Sequence, residues 1–208
     1  CRAYFVSLGR SSGCGGRSFG VYSLKCATNP YRAALSELAW NIEVERSMST
    51  ESLPISFGKY ILLDRIASGG MAEVFRAKVT GAADFERVVA IKCMLPHLAR
   101  DEQFTKMFID EAKMASLLSH ANISQIYELG NHQGRLYLVM EFISGHDLRH
   151  ILKTSNKMGL RIPFPVVAYI VSRAAEGLDF AHRKRSLDGT PLNLVHRDVS
   201  PQNILMRK

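Results

Sequence analysis

Lys92 closes the run Val89-Ala-Ile-Lys92, and a lysine at the end of an apolar strand is unusual unless it meets an anion. Upstream lies Ala67-Ser-Gly-Gly-Met-Ala-Glu-Val74, with Gly69-Gly70 between two strand-like runs. A glycine pair there lets a hairpin bring backbone N–H groups close to a phosphate chain. Glu111, in Phe108-Ile-Asp-Glu-Ala112, is the candidate partner for Lys92. It falls three residues after Phe108 and three before Met114, on the inward side of a helix, whereas Asp110 points about 100° away. An exposed Lys–Glu pair contributes little, so this pairing matters only as part of an ordered set. The run Val195-His-Arg-Asp-Val-Ser-Pro-Gln-Asn203 completes that set, with four residues between Asp198 and Asn203. Binding and handling of a phosphate chain is the chemistry these residues point to.

Short β-rich runs must position the lysine and the glycine turn. Tyr60 to Ile66, Ala72 to Val79 and Phe85 to Met94 read as strands separated by turn residues, the pattern of an antiparallel sheet. Asp101 opens a helix carrying Phe104, Met107, Phe108, Ala112, Met114, Ala115 and Leu118 on or near one face. Ile126 to Leu129 and Leu136 to Phe142 form a further strand pair across the turn Gly130 to Gly134. The expected total is five strands and one helix. After Gly145 the chain turns helical, with Asp147 to Lys157 and Pro165 to Arg183 as helices, followed by a loop containing Asp188-Gly189.

The 208 residues are 47% hydrophobic and 22% charged, which is ordinary globular composition. A net charge of +8 comes without a basic-aromatic cluster, so nucleic acid is not an expected partner. The four cysteines form no CxxC pair and no metal spacing, which fits a reducing, cytoplasmic setting. No apolar run is long enough to make a transmembrane helix or membrane anchor in this stretch. Residues 1–56 differ from the rest. Gly9 to Gly20 is rich in Gly, Ser and Arg, and Tyr31 to Glu45 is weakly helical. The expectation is a leader, disordered or misassigned, with Met48 as the true start. No feature of the sequence specifies an oligomeric state.

Taken in order, these motifs resemble a eukaryotic-like serine/threonine protein kinase of bacterial type, over about Phe57 to Leu205. The resemblance implies an α+β, bilobal, protein-kinase-like fold. Residues 57–142 would form a five-stranded antiparallel lobe with one helix, and residues 143–208 the hinge and the start of a helical lobe. It implies ATP and Mg²⁺ as cofactors and a protein substrate. Ala67, Ser68, Gly69, Gly70, Ala72 and Val74 would form the loop over the nucleotide, with Ala67 and Ala72 standing where the family has glycine. Ala90 would line the nucleotide site, and Lys92 would contact the α- and β-phosphates while paired to Glu111. Met140 would back the adenine pocket, the backbones of Glu141 and Ile143 would bind the adenine edge, and Asp147 would reach the ribose or cap the following helix.

The resemblance further assigns Asp198 to orient the acceptor hydroxyl and take its proton, and Asn203 to hold Mg²⁺. Arg197 would be a regulatory arginine and His196 a packed structural residue. Ser200 departs from the family's usual lysine two residues after the catalytic aspartate, which implies slower transfer, a substitute cation or an altered acceptor. No Asp-Phe-Gly follows Asn203, so the 208 residues alone are expected to be inactive, with a poorly stable helical half. The function implied for the full-length parent is transfer of the ATP γ-phosphoryl to protein hydroxyls. The alternatives are a pseudokinase that binds nucleotide or a partner without transfer, and a small-molecule phosphotransferase.

Overall fold

The computed structural model describes residues 2–6, 21–23, 53–81 and 85–208. Six strands, β3 (Ile55–Phe57), β4 (Tyr60–Ser68), β5 (Ala72–Thr80), β6 (Glu86–Met94), β7 (Ile126–His132) and β8 (Arg135–Glu141), form one antiparallel sheet in the order β3-β4-β5-β6-β8-β7. The sequence led us to expect five. The sixth is the short edge strand β3, whose three residues follow a proline and carry too little pattern to be read as a strand in isolation. The β7–β8 turn is also tighter than expected, with Gln133 and Gly134 at its tip, both at positive φ (51° and 79°). That geometry suits the two-residue hairpin turn that matches strand twist.

Both faces of the sheet are covered. Ala72, Val74, Ala90, Met94, Leu138 and Met140 pack against α1 (Glu102–Ser116) through Phe108, Ala112 and Ala115. The alternate residues Phe75, Ala77, Ile91, Cys93 and Val139 pack with Phe57, Tyr60, Leu62 and Tyr137 on the other face. Central strand β6 is therefore buried continuously from Val89 to Met94 rather than alternately. α1 begins at Asp101, whose carboxylate accepts from the N–H groups of Gln103 and Phe104.

The remaining chain builds a second core. β9 (Gly145–Asp147), α2 (Leu148–Lys157), α3 (Phe164–His182) and β10 (Ile204–Arg207) follow the sheet. Ile151, Val166, Ile170, Ala174, Ala181, Leu194, Ile204 and Met206 pack together with Leu118 and Ile123. Asn122 ties the connection after α1 to α3. Its Nδ2 donates to the Arg173 carbonyl and to Glu176 on α3, both at 3.1 Å. Among the described residues no helix is long and apolar enough to cross a membrane.

Strands also occur inside residues 1–56, the stretch expected as a leader: β3 begins there, and two more precede it. β1 (Arg2–Val6) and β2 (Val21–Ser23) are strands, and β1 pairs antiparallel with β10 in the order β2-β1-β10-β9. The segment Arg-Ala-Tyr-Phe-Val has β-favouring residues, and β10 offers an edge whose backbone groups need partners. The expected helix at Tyr31 to Glu45 and the expected start at Met48 lie outside the described residues.

Candidate active site

Alternation along β6 decides where Lys92 points. Ala90, Lys92 and Met94 share one face of the strand, the face covered by α1. Lys92 is 4% exposed, and its Nζ lies 2.6 Å from Glu111 Oε1. Glu111 reaches it because it sits one turn from Phe108 and Ala115, which pack α1 onto the sheet. The Lys92 ammonium also lies 5.5 Å from the Phe108 ring centroid. A buried ammonium held by one carboxylate retains donor capacity for an anion.

The glycine turn spans the end of β4 and the start of β5. Ala67 pairs with Val74 and Ser68 with Glu73, and Gly69 N–H closes the turn on the Ala72 carbonyl at 2.9 Å. Among the described residues the positive-φ positions include none of Ala67, Ser68, Gly69, Gly70 or Ala72. Alanine at positions 67 and 72 thus carries no backbone strain in this conformation. A Cβ at Gly70 would meet nothing within 4 Å, so the turn is open on that side. Its base is clamped by Glu73, which accepts from Arg65 Nη1 at 2.6 Å and from Arg135 Nη2 at 3.0 Å.

Ala72, Val74, Ala90 and Met140, scattered in sequence, are gathered in one buried cluster with Ala67 against it. Glu141 ends β8. Its N–H donates to the Gln125 carbonyl at 2.8 Å, and its carboxylate lies 3.6 Å from Arg207. Ile143 is buried in the connection to β9. Asp147 caps α2, accepting from the His150 N–H at 2.8 Å.

The second half of the site is the loop before β10. Leu194 and His196 are buried and anchor it. Arg197 has φ 63°, a left-handed conformation rare for a branchless long side chain and typical of strained functional loops. His196 Nδ1 accepts from the Asp198 N–H at 3.2 Å. Burial pushes the His196 imidazole down to about 4, with Asp198 opposing the shift and His182 adding to it. It is therefore neutral near pH 7, as a packed structural histidine should be. Asp198 is half-buried and Asn203 is 1% exposed. Asn203 Nδ2 donates to the Asp198 carbonyl at 2.9 Å and to Ser200 Oγ at 3.1 Å, while its Oδ1 is buried without a hydrogen-bond partner. A buried carboxamide oxygen lacking a donor fits a hard divalent cation.

The sequence-predicted residues thus form two sets, one around Lys92–Glu111 and one around Asp198–Asn203. Among the described residues no hydrogen bond or ion pair joins them directly, and residues 142–144 connect the lobes that carry them. Sequence reasoning missed the Glu73 clamp and the hydrogen bond from Asn203 to Ser200. Cross-strand register would have suggested the first, and no spacing signal points to the second.

A family model described as the protein kinase domain matches residues 60–208. The chain is 47% identical over 150 residues to the tyrosine-protein kinase MasK of Myxococcus xanthus, covering 72% of this chain and 23% of that protein. It is 36% identical over 152 residues to the probable serine/threonine-protein kinase pknA2 of Bifidobacterium longum, covering 72% of this chain and 18% of that one. It is 34% identical over 149 residues to the serine/threonine-protein kinase PrkC of Bacillus subtilis, covering 72% of this chain and 21% of that protein. The crystal structure of the Mycobacterium tuberculosis PknI kinase domain superposes with a TM-score of 0.57 at 25% identity, covering 76% of this chain and 59% of that one. The chain therefore spans less than a quarter of the length of these curated relatives.

Proposed function

The chain belongs to the protein kinase family, and from that premise we propose that it carries the nucleotide site and catalytic loop of an ATP-dependent protein kinase acting on serine and threonine hydroxyls. The observation that carries this reading is the buried Lys92–Glu111 pair at 2.6 Å. A charge pair taken out of water is costly to maintain for stability alone, and here it leaves ammonium donors beside an open glycine turn. In this reading Lys92 binds the α- and β-phosphates, and Glu111 fixes the lysine in place. The cluster of Ala72, Val74, Ala90 and Met140 supplies an apolar wall for adenine, and the backbones of Glu141 and Ile143 bind its edge. In the same reading Asp147 reaches the ribose with the oxygen lone pairs that capping leaves.

Asp198 orients the acceptor hydroxyl and takes its proton as the bond to the γ-phosphorus forms. Asn203 holds Mg²⁺ through Oδ1. Bound Mg²⁺ supplies neutralisation of the negative charge on the transferred phosphoryl group. Transfer leaves ADP and a phosphorylated protein.

A second acceptor, tyrosine, is favoured by one finding: the 47%-identical relative is named a tyrosine-protein kinase. Phosphoamino-acid analysis of the full-length protein's product, made with γ-labelled ATP, separates the two. Phosphoserine and phosphothreonine support the first reading, and phosphotyrosine alone replaces it with the second.

A further inference from the structure

The kinase reading assigns no part to Ser200, although this side chain touches the loop's cation-facing group. Ser200 opens the 3-10 turn Pro201–Asn203 with an extended backbone, φ −140° and ψ 157°. Its Oγ accepts from Asn203 Nδ2 at 3.1 Å, and the same nitrogen donates to the Asp198 carbonyl at 2.9 Å. A carboxamide nitrogen has two protons, so both are committed. Turning the amide over would set Oδ1 against the Asp198 carbonyl, two acceptors face to face. The orientation is therefore fixed, and Oδ1 becomes the open atom of the group, buried and without a partner. Leaving such an oxygen unmet is unfavourable unless a donor or cation arrives.

We propose that Ser200 is a positioning residue for cation binding: its hydroxyl locks the Asn203 carboxamide so that Oδ1 faces a hard divalent cation such as Mg²⁺. The proposal rests on the kinase reading and deepens it. A lysine at this position, as in the resemblance above, has donors only and cannot accept from Asn203. Serine here therefore exchanges a mobile cation for an acceptor that holds the metal-facing amide. Removing it leaves one Nδ2 proton without a partner, so the amide is held at one point, the Asp198 carbonyl, instead of two, and Oδ1 is aimed less firmly.

The test titrates Mg²⁺ against binding of a fluorescent ATP analogue to the full-length protein, with a parallel measurement in EDTA. S200A should raise the Mg²⁺ concentration for half-maximal binding by roughly threefold to tenfold, the effect of one net hydrogen bond. Its analogue affinity in EDTA should match the wild type. S200T, which keeps the acceptor and suits the extended backbone, should restore the wild-type Mg²⁺ dependence. If S200A does not fold, S200C takes its place with the same expectation, because a thiol accepts weakly.

Wild-type Mg²⁺ dependence in S200A overturns the proposal, as does an equal loss of affinity with and without Mg²⁺. A wild-type protein that binds no analogue in either condition overturns the kinase reading and this proposal with it. Binding that is intact but insensitive to Ser200 overturns the proposal alone.

Discussion

At the scale of single residues, the Lys92–Glu111 pair is stable only as a pair. The two side chains are 5% and 14% exposed, so removing one partner strands the other charge in an apolar setting. K92M should lose nucleotide binding and destabilise the fold by about 3 kcal/mol, the usual cost of breaking a buried pair. Chemical denaturation reads the second effect, and an unchanged midpoint would mean that Glu111 finds solvent or another donor. His196 gives a pH prediction with a definite sign. Its folded value of about 4 lies below the ordinary 6.5, so the unfolded chain binds the extra proton. Its contribution to stability is complete above pH 6.5 and falls as pH drops towards 4, by about 1.4 kcal/mol per unit. Equilibrium unfolding across that window should show a shallower slope in H196Q than in the wild type.

At the scale of elements, the helix and the central strands were legible because their periods are strong. Glu111 could be placed on the inward face of α1 from helical spacing, whereas the α1-facing direction of Lys92 is set by the fold, because β6 is buried on both faces. What was not legible depends on long-range pairing or on rotamers. β3 is three residues long, and β1 is a strand through its partner β10. The positive φ of Arg197 has no signature in an arginine, and the amide direction of Asn203 is set by two neighbours rather than by spacing. Gly145 shows how closely elements meet beside the site. A Cβ there would collide with the Met206 carbonyl across the β9–β10 pair. G145A should therefore destabilise the second core by more than about 1–3 kcal/mol, since the clash is with backbone and cannot be relieved by a rotamer change. A thermal melt compares it with the wild type, and an unchanged midpoint would show that β9 and β10 part easily.

At the scale of the whole molecule, Asn122 ties the connection after α1 to α3, residues 142–144 join the sheet to the second core, and in the proposed reading each core carries one half of the chemistry. The sheet side presents the lysine, the open turn and an apolar wall. The helical side presents the carboxylate and the amide oxygen. This division explains why the motifs lie so far apart in sequence and why their order carries the family resemblance. In the proposed reading it also makes the role of Asp198 separable from nucleotide binding, because among the described residues no hydrogen bond or ion pair links it to Lys92. The most direct measurement is transfer from γ-labelled ATP by the full-length protein and by D198N, with nucleotide binding measured alongside. Proton acceptance by a positioned side chain contributes about 10²–10⁴-fold. Labelled protein is expected from the wild type, and from D198N a loss of at least about 100-fold with nucleotide binding retained. A wild-type protein that binds ATP yet transfers no label, or a D198N protein that transfers at the wild-type rate, would contradict the proposed reading.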